Sequence, residues 1–250
     1  MKNLIISLAL ASVLLACQKE PVLTLEQATA SLKSGENFSI NATGFDSYTF
    51  TSQDEYVAKV SATGVVTAQK IGKTNIVVKA EDKVAYFNVE VAPAYNLFTE
   101  PIMEWGMSRA QLISKLGTPA SSTADGVGYT NSSTIAPISV YLFDSKGLSV
   151  SSILINSNYS SQLGSFMAER YLLVSVDAEE YSIYFINALS LQKATTIVGL
   201  EIYNLSYWMA AYIRNDSYTK GGMSAVNSNN AEKIKEIVNR LSFLIAPVSN

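Results

Sequence analysis

Few residues in this 250-residue chain are equipped for chemistry. Cys17, in LLACQKE, is its only cysteine, and it has no histidine. Without imidazole the commonest general base and zinc ligand are missing, and neither a Ser-His-Asp nor a Cys-His triad can be built. Two adjacent acid pairs, Asp54-Glu55 and Glu179-Glu180, carry the groups a glycosidase uses. Adjacent residues on a strand point to opposite faces, and both pairs stand beside turn signals, so solvated turn positions are expected. Asp144-Ser145 and Asn215-Asp216 offer oxygens to calcium but lack the alternating spacing of a dedicated loop. No phosphate-binding loop, dinucleotide fingerprint, H-E-x-x-H, C-x-x-C or G-x-S-x-G motif occurs. The expectation is a chain with no catalytic residues, cofactor or metal; a carboxylate-based glycan hydrolase stands as the alternative class.

Aromatic side chains are the remaining binding groups. Trp105, Trp208 and all but three of the fourteen tyrosines follow Pro93. Tyrosine at a surface stacks on sugars or anchors protein contacts. In TIVGLEIYNLSYWMAAYI, alternation sets Tyr207, Met209, Ala211 and Ile213 on one side and Trp208, Ala210 and Tyr212 on the other. One set should be core and the other could form an exposed aromatic strip, although core filling on both sides is the simpler reading. Trp208, Tyr207, Tyr212 and Trp105 are therefore the candidate binding residues. Net charge is -3, pI is about 5.1 and no basic cluster occurs, which disfavours nucleic acid as a partner.

The cysteine has its own setting. Lys2 precedes LIISLALASVLLA, residues 4–16, apolar except for two serines, which is a secretory signal pattern. Those residues give roughly 20 Å of helix, short of a ~30 Å hydrocarbon core. A Leu-Leu-Ala run abutting a cysteine resembles a bacterial lipobox. The resemblance implies that the Cys17 thiol receives diacylglycerol, that the signal is cut before it, and that the new amino terminus is acylated, with palmitate as a typical chain. Only a thiolate is nucleophilic enough for that acceptor role near neutral pH. Gln18 follows, with no aspartate, which in lipoprotein families implies the outer membrane, on its periplasmic or cell-surface face. With no second cysteine, disulfides are impossible and stability must come from apolar cores.

From Val22 to Pro93 the chain reads as short strands between turn signals: NFSINA, YTFTS, YVAKVS, GVVTAQK, TNIVVKA and VAYFNVEV. Their spacing predicts a small β-sandwich. Phe50, the polar turn at 52–55, Val57-Ala58-Lys59-Val60, Gly64, Val66-Thr67-Ala68, Gly72 and Thr74 resemble the pattern of the group 2 bacterial immunoglobulin-like domain, with Phe50 where that family usually has tryptophan. The resemblance implies a spacer or adhesion module without catalytic residues.

Past Pro93 helices enter. MSRAQLISKLGTP carries a capping box, Ser108 with Gln111, a Met107–Leu112 staple and a Gly117 stop. ISVYLF and LSVSSILIN flank a hairpin signal at 144–147. SSQLGSFMAERY is a second helix candidate, followed by strands YLLVSV, YSIYFIN, TTIVGLEIY and YWMAAYI. Setting ISVYLFDSKGLSVSSILI against YSIYFINALSLQKATTIV matches Val140–Phe143 with Ile183–Ile186, which suggests a duplicated helix-plus-meander. That element order is distantly similar to β-lactamase-inhibitor proteins and to small lipoproteins of outer-membrane assembly. Ile234, Ile237, Val238, Leu241, Leu244 and Ile245 recur at helical steps near the end, with charged residues between them. A helix docked on its own domain is the simpler reading, and a partner-binding helix the other.

The fold class expected is multidomain: signal peptide 1–16, lipidated tether 17–21, an all-β immunoglobulin-like sandwich 22–93, an α+β domain 94–220 of helix plus antiparallel meander, and a linker with amphipathic helix 221–250. The function expected is a non-enzymatic envelope lipoprotein that adheres to protein or glycan. A protein inhibitor or an outer-membrane assembly factor is the alternative.

Overall fold

The computed structural model describes residues 20–177, 181–204 and 206–216. The signal segment, Cys17, Glu179-Glu180 and the amphipathic stretch 229–246 lie outside the described residues. No described helix is long and apolar enough to cross a membrane.

The first unit holds β1 (Thr24–Leu25), β2 (Thr29–Leu32), β3 (Asn37–Ser39), β4 (Ala42–Thr43), β5 (Thr49–Ser52), β6 (Ala58–Val60), β7 (Val65–Ala68), β8 (Gly72–Ala80) and β9 (Lys83–Val91). A four-stranded sheet in the order β2-β9-β8-β5 packs over a three-stranded sheet β3-β7-β6, and β1 pairs with β4. Alternation explains the layering: Ile76, Val78 and Ala80 of β8 are buried with Phe87, Val89 and Val91 of β9, while Asn75 and Lys79 lie on the other side. Val66 and Ala68 close the core from the second sheet. Gly64 shows why glycine is needed: its φ is +81°, and a Cβ there would meet the Phe50 ring at 2.8 Å. Strand β2 reads TASL and lacks the β-branched signature; its parallel pairing with β9 is set by tertiary contacts.

The second unit holds α1 (Arg109–Leu116), β10 (Ser121–Ser122), β11 (Gly126–Thr130), β12 (Ile138–Asp144), β13 (Gly147–Asn156), α2 (Ser160–Ala168), β14 (Leu172–Asp177), β15 (Ser182–Ile186), β16 (Thr196–Asn204) and β17 (Tyr207–Arg214). Its strands form one eight-stranded antiparallel sheet, β10-β11-β12-β13-β17-β16-β15-β14. Each half is a helix followed by four consecutive strands, and the halves meet where β13 pairs with β17. The arrangement corrects the alignment drawn from sequence, because β12 stands opposite β16 across this axis and not opposite β15. The local match had aligned hairpins one strand out of step, since half-buried strands share an alternating pattern whatever their place.

The cap on α1 forms as expected: Gln111 N–H donates to Ser108 Oγ at 3.3 Å, and Ser108 N–H donates to Gln111 Oε1 at 2.9 Å. Met107 and Leu112 share one cluster with Tyr141 and Leu148. The segment before α1 is laced to the start of β13 by Gly106 N–H to Leu148 O and Leu148 N–H to Met107 O. Both helices and the chain from 97 to 105 cover the same side of the sheet, which we call the helix face.

Candidate binding surfaces

The structure separates the four aromatic candidates. Tyr212 is 0 % exposed and edge-on to Tyr171 at 6.0 Å. It therefore cannot touch a ligand; the expectation for this residue is corrected, since β17 is a central strand covered on the helix face. Burial, with nearby Glu100 and Tyr171 adding to it, drives the Tyr212 phenol well above its ordinary range. Trp208 is half-buried against the helix-face core, and its Nε1 donates to Ser160 Oγ at 2.8 Å. Trp105 packs between the two helix-face clusters and donates from Nε1 to Thr196 Oγ1 at 3.0 Å. Tyr207, one residue before Trp208, packs on the opposite face. The four thus form no common strip.

Of the acidic candidates, Asp54, Asp144 and Asp216 have partners within the protein. Asp54 caps its own turn by accepting from Tyr56 N–H. The pairs considered for calcium meet a cation of the protein itself: the Arg214 guanidinium reaches Asp144 Oδ2 at 2.6 Å and Asp216 Oδ2 at 2.7 Å. Among the described residues no three or more His, Cys, Asp or Glu side chains are grouped so that they could hold a metal ion.

Three other features come from tertiary placement. The first is the outer edge at β14, where Leu173, Val174 and Val176 are 43–60 % exposed. Val174 sits at a register shift against β15. Tyr181 and Ile202 continue the apolar surface beyond the Ser182–Glu201 pair. Among the described residues no strand pairs with the far side of β14. The sequence offered a strand here, but that it would be an edge is a fact of topology.

The second is a groove of about 580 Å³ lined by Asn96, Phe98, Thr99, Asn131, Ser133 and Ser139 among others, with no charged residue. Its inner amide is fixed, as Asn131 Nδ2 donates to Ala136 O and Asn131 Oδ1 accepts from Ser139 Oγ. These residues come from segments far apart in the chain and carry no motif.

The third is a buried polar joint between the units. Glu169, 3 % exposed, follows α2 and accepts the Ala94 and Tyr95 amides at 2.8 and 3.1 Å and Arg170 Nη1. Arg170 lies over the Phe166 ring, 3.6 Å from its centroid, and faces Glu100. Glu100 in turn accepts from Tyr171 Oη at 2.7 Å. From the first unit, Tyr56 Oη donates to Arg170 O at 2.6 Å, Ile71 N–H donates to Glu169 O, and the Lys70 ammonium donates to Ala168 O. Lys70 thereby caps the C-terminus of a helix in the other unit, where its charge complements the helix dipole. Burial lowers the Lys70 pKa, while burial followed by the charges of Asp54 and Glu100 raises that of Tyr56.

No curated protein matches this sequence. Among solved structures, domains 5–6 of the S-layer protein SbsC align with 80 % of this chain and 88 % of that one, at 15 % identity and a TM-score of 0.26. Residues 18–88 match the family model of the bacterial Ig-like domain (group 2), and the β1–β9 unit that nearly coincides with them is such a domain.

Proposed function

We propose that the chain is a non-enzymatic lipoprotein of the bacterial cell envelope, tethered to the outer membrane through acylated Cys17 and binding a protein with the outer edge of its C-terminal sheet. The Ig-like domain supports a surface role as spacer, and the buried joint supports a spacer that holds the binding unit firmly. One observation favours a protein ligand above others: among the described residues no strand pairs with the outer side of β14 beside the exposed Leu173, Val174 and Val176. Proteins normally blunt such edges, and an extended partner segment satisfies them by adding a strand. Adhesion, inhibition and assembly differ here only in whose strand is added.

Metabolic labelling with radioactive palmitate tests the tether. Cys17→Ser is expected to abolish labelling and release the protein from membranes; equal labelling overturns the tether. For the edge, a photo-reactive amino acid at position 176 in living cells is expected to give a discrete adduct with one protein, absent when the probe replaces Val84 on the Ig-like domain. No adduct, or the same adducts from both positions, overturns protein binding at β14.

The uncharged amide and hydroxyl lining at Asn96, Thr99, Asn131 and Ser133, with Phe98 beside it, favours a neutral glycan as a second reading. That reading requires binding to a polysaccharide panel that Asn131→Ala weakens.

A further inference from the structure

Helices α1 and α2 each lead into an outer strand of the C-terminal sheet, and the last carbonyls of both need donors. The first half supplies its own. Gly117, at φ +85°, donates its N–H to Ile113 O at 2.8 Å, Tyr129 Oη donates to Gly117 O at 3.1 Å, and Lys115 sets a positive charge in the last turn. Helix α2 closes differently. It ends on Glu169 in the right-handed region, and its last turn holds no basic residue. Arg170 Nη1 reaches back to Phe166 O, but three successive carbonyls beyond it are met from the Ig-like domain. Lys70 Nζ donates to Ala168 O, Ile71 N–H to Glu169 O at 2.8 Å, and Tyr56 Oη to Arg170 O. The cap that α1 finds within its own half thus comes to α2 across the joint.

The donors stand on two turns that the Ig-like domain ties together itself. Gln69 and Lys70 N–H both donate to Val57 O, at 2.8 and 3.3 Å, and Asp54 accepts from Tyr56 N–H. The Tyr56 hydroxyl also lies 3.2 Å from Ile186 O, so one phenol is shared between the chain just before β14 and the last residue of β15. Ile186 is the partner of Leu172 at the start of β14. The ladder there is short, because its register shifts between Leu173 and Ser175. We propose that the Ig-like domain is a clamp on β14. Docking of its 54–57 and 69–71 turns holds the α2-to-β14 turn and the first β14–β15 pairs; undocking loosens β14 and leaves β11, β12 and β13 in place. The order of β14 is then a property of two domains, and whatever tilts one domain against the other acts on that strand. The clamp stands on these contacts alone; only its bearing on ligand capture rests on the reading of β14 as the binding edge.

Hydrogen exchange in the full chain tests the clamp. Tyr56→Phe combined with Lys70→Met removes two of the three donors and keeps the ring and the apolar stem. Amides of 172–177 and 182–186 are expected to exchange about tenfold faster, while those of 138–144 and 74–79 keep their rates. Lys70→Arg, which retains charge and donors, is expected to leave β14 at its original rate. Unchanged exchange at 172–177 in the double variant overturns the clamp, and so does equal acceleration in both units, which marks general destabilisation. Should the double variant fold poorly, Tyr56→Phe alone decides: exchange at 172–177 is expected to rise about threefold, and no rise overturns the clamp. In the double variant the photo-adduct from position 176 is expected to fall about tenfold, in step with exchange. An undiminished adduct with faster exchange overturns the link to ligand capture. Faster exchange with no adduct even before substitution upholds the clamp and overturns the binding edge, so the two readings fail separately.

Discussion

The two outer edges of the eight-stranded sheet occupy equivalent places on either side of the β13–β17 pair and are treated in opposite ways. At one, β10 is two serines long and is pinned by Arg109 of the preceding helix, whose guanidinium donates to Thr123 O, Gly126 O and Ser122 Oγ. At the other, β14 runs six residues with apolar side chains in water, and the turn leading into it is gripped by buried charges and by the Ig-like domain. A short polar edge is the usual protection against unwanted strand pairing. Shared topology therefore does not impose a shared surface; one half ends in a blunt edge and the other in a firmly held edge that no described strand covers.

The contrast can be broken most forcefully at Glu169. Replacing it with alanine leaves Arg170 buried without its closest acid and two linker amides without an acceptor, and is expected to cost about 3–5 kcal/mol in urea unfolding. Arg109→Ala at the other edge, more exposed and bonded mostly to carbonyls, is expected to cost about 1 kcal/mol. Equal losses would show that the two edges are anchored alike.

Alkaline pH acts on the same side. Tyr56, Tyr171 and Tyr212 stay neutral in the folded protein above the ordinary value of 10.0, chiefly because burial disfavours the phenolate. Above pH 10 the unfolded chain has therefore lost protons that the folded one keeps, so stability is present below pH 10 and falls above it, by about 1.4 kcal/mol per pH unit for each tyrosine. Lys70, with its lowered pKa, works in the opposite sense up to 10.5. Unfolding followed by tyrosinate absorbance should thus show the decline setting in above pH 10, and Tyr171→Phe should make it shallower.

The smallest change in stability is expected from Val176→Lys, within about 0.5 kcal/mol, because the side chain is already in water. Capture of the partner protein at the β14 edge should nevertheless fall, because a charged side chain on an edge strand opposes strand addition. A large loss of stability would mean that Val176 is a packing residue, and the edge would then be closed.

Local chemistry made parts of this molecule readable in advance. The Ser108–Gln111 box, the 144–147 hairpin and the Gly64 turn each lie within a few residues of sequence, where one side chain or one φ angle decides the outcome. The Ig-like domain was legible for the same reason, as a run of such local decisions in a recognisable order. What escaped depends on long separation. Tyr56 meets Arg170 across 114 residues, and nothing in either neighbourhood announces it. Strand β11, reading GVGYT, has little β-branched character and is held by its pairing with β12. Alternation assigns the aromatic residues of β17 to their two sides and makes core filling on both the simpler reading, and Met209, Ala210, Ala211 and Tyr212 are indeed all buried; which partners bury them is decided by distant strands.

The pairing of β2 with β9 carries a mechanical consequence. Thr29–Leu32, near the start of the Ig-like domain, runs parallel to Asn88–Val91 at its end, with Asn88 N–H donating to Ala28 O and Ala92 N–H donating to Leu32 O. Pulling such a domain by its two termini loads these bonds side by side, in shear, so that they must rupture together and cannot unzip one after another. A domain stretched between an anchor at one end and a load at the other would give way late and abruptly.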